Sequence, residues 1–226
     1  MTFDRMIVLD FETTGLQPGY RPIEIAWLEF DYIYNRFNVA ESVTSLIDPQ
    51  IPIEPGAQKV HGISAEMLAG KPTLEQFLQG EHADKFADEH VLVVAHNAAF
   101  DLPMFEPFCK KATSLCTMRL AQALYPMAEN HRLSTLASMF AVDVEPTHRA
   151  MADVGACFEL LRTIAKKENK SIDELLVIAS YTSPESLMPF GKHKGVMIKD
   201  LPSDYVAWLS TTLEPSHWIH PVIAQL

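Results

Sequence analysis

The sequence predicts an α/β layered domain followed by a smaller C-terminal appendage. Three observations lead there: three strand-like segments in close succession at the N-terminal end, an entirely apolar run at 91–95, and a series of helical patterns between 98 and 167.

The elements follow in order. Residues 6–11 form a short apolar, β-branched run that reads as a strand. Residues 23–30 and 37–47 alternate well enough for two more, with Asn35 near the turn, so the three make an antiparallel meander. Pro49, Pro52 and Pro55 break the pattern. Residues 73–87 have helical spacing, with Leu74, Phe77, Leu78 and Phe86 on or near one face. The run 91–95 is the best candidate for a buried strand. Helices are predicted over 98–110, 118–124, 133–140 and 149–167. In the last, Ala152, Ala156, Leu160 and Thr163 step by three or four, and basic residues gather at its C-terminal end, where the macrodipole favours them. The main domain spans 1–179. Residues 180–189, rich in Ser and Pro, read as a linker. Residues 190–226 are too few for a domain standing alone and are expected to pack on the main domain. Within them, Gly191 and Gly195 suggest a tight hairpin, and Tyr205, Trp208 and Leu209 share one face of an amphipathic helix.

Composition is that of a soluble globular chain: 48% hydrophobic, 21% charged, mean hydropathy +0.03. No apolar run approaches the roughly 18 residues of a membrane span, and the first residues lack a basic, then apolar, leader. These readings predict a cytoplasmic protein with no membrane partner. Cys109, Cys116 and Cys157 have no paired spacing, which fits reduced thiols better than a disulfide frame or a zinc site. The net charge of −11 argues against a broad phosphate-binding surface. A nucleic acid would have to be gripped locally, by metal ions and a few basic residues.

Three short segments carry the candidate chemistry. In Asp10-Phe11-Glu12-Thr13-Thr14-Gly15, side chains at i and i+2 of a strand share a face, so Asp10 and Glu12 project together. Two paired carboxylates favour a hard divalent cation, and Gly15 permits close backbone approach to a ligand. In the second, His96-Asn97-Ala98-Ala99-Phe100-Asp101, Asn97 is placed to cap a helix and Asp101 falls in its first turn. Both are ordinary capping positions, and His96 could equally be a satisfied structural histidine. In the third, Thr147-His148-Arg149-Ala150-Met151-Ala152-Asp153, His148 stands at the mouth of a helix. Histidine there suits a base working near neutral pH. Asp153 is an acid on an apolar face and needs a partner.

Taken together, these motifs resemble the DEDDh 3′→5′ exonucleases of the proofreading-exonuclease superfamily. Asp10-x-Glu12-Thr13-Thr14-Gly15, His96-Asn97-x-x-Phe100-Asp101 and His148-x-Ala150-x-x-Asp153 match in order and spacing, and Val60-His61-Gly62-Ile63 adds a fourth feature. The resemblance implies a ribonuclease H-like three-layer α/β fold with a mixed central sheet of about five strands flanked by helices, plus a small hairpin-and-helix extension. It implies two Mg²⁺ ions, with Mn²⁺ able to substitute, held by Asp10, Glu12, Asp101 and Asp153, and His148 as base. Thr13, Thr14, Gly15, Leu16, Gln17, His61, His96, Asn97, Phe100, Arg149 and Lys192 become candidate substrate contacts, with Arg132 a further candidate for phosphate. The expected substrate is a DNA 3′ end, single-stranded or duplex, in repair or end processing, with no obligate protein partner. The pattern Phe190-Gly191-Lys192-x-x-Gly195 … Leu201-Pro202-x-x-Tyr205-x-x-Trp208-Leu209 is similar to the tail of the exodeoxyribonuclease X branch, which favours DNA. The catalytic motifs themselves do not separate DNA from RNA. An RNA-trimming enzyme, a polymerase proofreading subunit and an inactive nucleic-acid-binding module are the alternatives.

Overall fold

The structure is a computed structural model, and it describes residues 3–33, 36–79, 82, 85, 90–105, 113–180, 183–213, 217–224 and 226. In chain order the elements are β1 (Arg5–Thr13), β2 (Pro22–Ile33), β3 (Arg36–Leu46), α1 (Pro55–His61), α2 (Ala65–Leu68), α3 (Leu74–Gln79), β4 (Val91–Ala95), α4 (Ala98–Phe105) and β5 (Thr113–Cys116). Then come α5 (Thr117–Leu124), α6 (Leu133–Met139), α7 (Ala150–Glu168), α8 (Ile172–Ser180), a 3₁₀ turn (Ile198–Asp200), α9 (Ser203–Thr212) and α10 (His220–Ile223).

The five strands form one mixed sheet in the order β3-β2-β1-β4-β5. β1 runs antiparallel to β2 and parallel to β4; β2 is antiparallel to β3, and β4 parallel to β5. Period-two alternation along β1 divides its side chains between two cores. Met6 and Val8 pack beneath α7 with Leu160, Leu161 and Ile164, joined by Leu120, Leu136 and Leu175 from α5, α6 and α8. Ile7, Leu9 and Phe11 face the other layer, with Leu78 of α3 and Ala98 and Phe105 of α4. The result is a three-layer α/β/α sandwich of the ribonuclease H-like type. β4 is buried along its whole length, as its apolar run predicts.

Several boundaries differ from the sequence reading. The helix expected over 73–87 is short, ending at Gln79, and its expected Phe86 lies outside the described residues, as do Asn35, Cys109 and the stretch 106–112 that would have ended the 98–110 helix. α1, α2, β5 and α8 were not anticipated. α1 starts on Pro55, a residue that fixes φ and suits the first helical turn even as it reads as a breaker. The expected linker is largely structured. Its first residue closes α8, and Ser186, Met188 and Pro184 pair through the backbone with Ile198, Val196 and Lys199.

The C-terminal segment has its own small core of Met188, Ile198, Leu201, Tyr205, Leu209, Ile219, Val222 and Ile223. Across the expected hairpin the Met188 N–H donates to the Val196 carbonyl and the Met188 carbonyl accepts the Gly195 N–H; the turn contains Gly191 at φ +70 and Gly195 at φ +83. Tyr205 and Leu209 are buried together, and Trp208, 50% exposed, stacks on the Tyr205 ring at the solvent edge of that face. The segment is tied to the main domain. The Lys194 ammonium donates to the carbonyls of Ala128 and Glu129, and the Arg119 guanidinium lies 3.6 Å over the Trp218 ring. Among the described residues no helix is long and apolar enough to cross a membrane.

Candidate active site

The site forms where the carboxyl ends of β1 and β4 lie side by side, the position at which open α/β sheets present ligand crevices. Val8 pairs with Val94, so Asp10 and the His96-Asn97 turn emerge together. Asp10 and Glu12 continue the Met6–Val8 face, the face covered by α7, and α7 supplies Asp153 one turn in from its start. Carboxylate oxygens of Asp10, Glu12 and Asp153 all lie within 4.8 Å of one another. Asp101, in the first turn of α4, is buried and accepts the backbone N–H of Phe11, which seats it behind β1.

Burial pushes the Asp10 carboxyl well above the carboxylate range, and the charges of Asp101, Asp153, Glu12 and Glu24 push the same way. Burial also raises Glu12, to about 7, with Asp153 and Glu24 adding to it and Arg149 opposing. Asp101 is raised by burial against the Phe11 N–H. Asp153 is raised by burial as well, opposed by the backbone N–H groups of Thr147 and His148 that it accepts at 2.9 and 3.2 Å. Carboxylates so close together and so poorly solvated are stabilised by a cation between them. The donors are all hard oxygens, which suits Mg²⁺ or Mn²⁺ rather than a thiophilic ion.

Asp153 also shapes the mouth of its own helix. By accepting from Thr147 and His148 it holds His148 in the left-handed region, φ +55, exposed at the edge of the cleft. Arg149, expected to meet phosphate, is otherwise engaged: its guanidinium forms a two-bond fork with the buried Glu24 carboxylate. Glu24 is directly opposite Glu12 across the β1–β2 ladder. The sequence reading missed Glu24, although an acid inside the apolar alternation of 22–28 was a usable signal.

The cleft has a volume of about 900 Å³. Asp10, Glu12, Asp101, His148 and Asp153 all line it, together with His96, Asn97, Phe100 and Arg132. Asn97 sits at φ +67 and accepts the Phe100 N–H through its carbonyl. Phe100 stacks on Tyr20, 4.6 Å between centroids at 12°. His96 is a satisfied histidine: Nδ1 is 2.9 Å from Thr117 Oγ1 and Nε2 is 2.9 Å from the His131 carbonyl. Burial lowers its pKa to about 4, so the ring is neutral.

The other predicted contacts are not brought to the cleft. Thr13 Oγ1 donates to the Gly15 carbonyl and Thr14 Oγ1 accepts the Arg21 N–H, so both hydroxyls serve the turn after β1. The close approach that Gly15 permits is made by the Glu54 side chain, not by a ligand. His61 is buried and accepts the Ile63 N–H at Nδ1. Leu16 and Gln17 are exposed on the same turn, Leu16 by 79%. Lys192 lies beyond the cleft rim, on the extension. Sequence reasoning did not foresee that this segment walls the cleft with Phe190, Lys194, Leu213 and His217.

A cluster of carboxylates at the strand ends of this sheet defines a metal-dependent phosphodiester hydrolase. The chain belongs to the exonuclease family, whose model matches residues 7–161, and its motifs are those of the DEDDh 3′→5′ exonucleases. Among its relatives, exodeoxyribonuclease 10 of Escherichia coli K12 is 28% identical over 214 residues, covering 92% of this chain and 91% of that protein. A PolC-type DNA polymerase III of Halalkalibacterium halodurans is 33% identical over 168 residues, covering 71% of this chain. The chain spans only 11% of that polymerase's length. A solved structure of exonuclease X in complex with 5′ overhanging duplex DNA superimposes with a TM-score of 0.60 at 28% identity, covering 77% of this chain and 99% of that one. Residues 179–218 match a second family, described as a putative quorum-sensing-regulated virulence factor.

Proposed function

We propose that the protein removes nucleoside 5′-monophosphates one at a time from DNA 3′ ends, using Mg²⁺ at the Asp10–Glu12–Asp153 cluster. The observation that carries this reading is the mutual approach of those three carboxylates beside buried Asp101, with His148 on the same cleft. Asp10, Glu12 and Asp153 would hold one ion, and Asp101, whose charge reaches Asp10, is the donor left for a second. When bound, the metal supplies positive charge at the scissile phosphate and lowers the pKa of an attacking water. His148 takes the water proton at its imidazole. The Asp153 bonds to the Thr147 and His148 amides keep that ring at the cleft edge. Phe100, braced by Tyr20, offers a flat apolar face for the terminal base, a contact that does not discriminate among bases. Of the cleft's two basic side chains, Lys194 is taken up by the Ala128 and Glu129 carbonyls, which leaves Arg132 to meet a phosphate, while Arg149 acts through Glu24 on the start of α7.

The similarity to exodeoxyribonuclease 10 over most of both chains supports DNA as the substrate. The test is a panel of 5′-labelled DNA, the same sequence as RNA, and duplexes with recessed, blunt and mismatched 3′ ends, each with Mg²⁺. Stepwise shortening of DNA from the 3′ end is the expected result. Faster shortening of the RNA overturns the substrate, and no Mg²⁺-dependent loss of 3′ nucleotides overturns the enzyme.

A further inference from the structure

The cleft continues past the carboxylates to the extension, where Gly191 forms part of its rim. There Gly191, at φ +70, packs against Tyr205 Oη. Next along the chain, exposed Lys192 has its Nζ 5.2 Å from the Tyr205 ring centroid. Trp208 stacks on that same ring, 5.4 Å between centroids at 17°. A cation, a buried aromatic and a half-exposed indole thus form a strip beside the cleft rim.

The extension's own core of Met188, Ile198, Leu209 and their neighbours includes neither Lys192 nor Trp208. Lys192 has no ion pair among the described residues. In a chain of net charge −11, a lysine without an acidic partner beside an exposed indole is a local exception to the prevailing field. Exposed aromatic faces next to cations are how proteins hold single strands: bases stack, phosphates meet the charge, and sequence matters little. A duplex offers no free base face along its length, so an unpaired strand is the fitting occupant.

We infer that the Lys192–Tyr205–Trp208 strip binds the single-stranded DNA segment trailing the terminal nucleotide, with a base on Trp208 and a phosphate at Lys192. This rests on the exonuclease reading of the cleft and adds to it a second contact area, which lengthens the footprint beyond the nucleotide being removed.

The test measures binding by fluorescence anisotropy, with Ca²⁺ in place of Mg²⁺ and a phosphorothioate at the last linkage. A twelve-nucleotide oligothymidylate is titrated directly, and a two-nucleotide one is read by competition. Trp208→Ala weakens the twelve-nucleotide strand about tenfold, Lys192→Ala weakens it to a smaller, salt-dependent extent, and neither alters the two-nucleotide competitor. Trp208→Phe, which keeps a stacking face, binds as the wild type does. Equal binding of the long strand by wild type and Trp208→Ala overturns the inference, as does equal weakening of both lengths. If the wild type fails to shorten the unmodified twelve-nucleotide strand in Mg²⁺, it is the exonuclease reading that falls.

Discussion

Glu24 and Arg149 are 125 positions apart in the chain, yet the Glu24 carboxylate accepts Arg149 Nη2 at 2.6 Å and Nε at 3.1 Å. The same carboxylate accepts the Ala150 backbone N–H at 3.0 Å, at a helix start where Arg149, in the N-cap position, makes no side-chain cap of its own. One acid of β2 therefore caps α7 and fixes the segment that bears His148 and Asp153. Glu24→Ala leaves the Ala150 amide and a guanidinium without their partner. It should lower unfolding free energy by about 2–3 kcal/mol, below the full cost of a buried pair because Arg149 is half exposed. Urea denaturation measures this; a change under about 0.5 kcal/mol would show that α7 holds its own start.

Glu12 gives a pH signature. Its folded pKa is raised from 4.5 to about 7, so the folded state binds the proton more tightly than the unfolded chain does. The stability this contributes is complete below pH 4.5 and disappears as pH rises through about 7. Glu12→Gln mimics the protonated form. In EDTA it should be more stable than wild type at pH 8, by on the order of 2 kcal/mol, and the gap should close by pH 5. A pH-independent difference in melting temperature would refute the assignment.

Metal should couple to stability through the same cluster. At pH 8, saturating Mg²⁺ is expected to raise the wild-type melting temperature by about 5 °C. Asp10→Ala should remove both that shift and the 3′ exonuclease activity. Retention of the full Mg²⁺ shift would place the ion elsewhere.

His148→Ala separates binding from proton transfer. The variant should keep the Mg²⁺-dependent melting shift and lose roughly 10²–10³-fold in kcat near neutral pH, the usual weight of a general base. A normal rate in single-turnover assays would remove His148 from the mechanism.

Gly195 tests the extension. It sits at φ +83, and an added Cβ would lie 3.0 Å from Met127 Sδ on the main domain. Gly195→Ala should cost about 1–2 kcal/mol from the left-handed backbone and the displaced thioether together. Calorimetry against Gly56→Ala, where the added carbon meets nothing, is the comparison that decides it.

Much of this was legible in the chain because the signals were local. A period of two placed Asp10 and Glu12 on one face, and the helical pattern of α7 set Asp153 one turn inside a mouth marked by His148. β4 announced itself by five consecutive buried residues. What escaped notice depended on distant partners. Glu24 was passed over because its role appears only once the β1–β2 ladder sets it opposite Glu12 and α7 brings Arg149 to it. Arg149 and His61 resembled substrate contacts because the sequence shows a side chain's type and not what already occupies it. β5 is too short to carry a period. Ser and Pro at 180–189 suggested a free tether, whereas backbone pairing with 196–199 makes much of that stretch one arm of the hairpin.

The Lys194 bonds to Ala128 and Glu129 have a consequence for cooperativity. Two residues further along that loop, the His131 carbonyl holds His96, which opens the turn leading to Asp101. Removing the chain after α8 would unpin this loop and strip Arg119 of the Trp218 face. The two cores are therefore expected to melt in one calorimetric transition, and a truncated enzyme would differ from the whole in the order of its active-site loop as well as in reach.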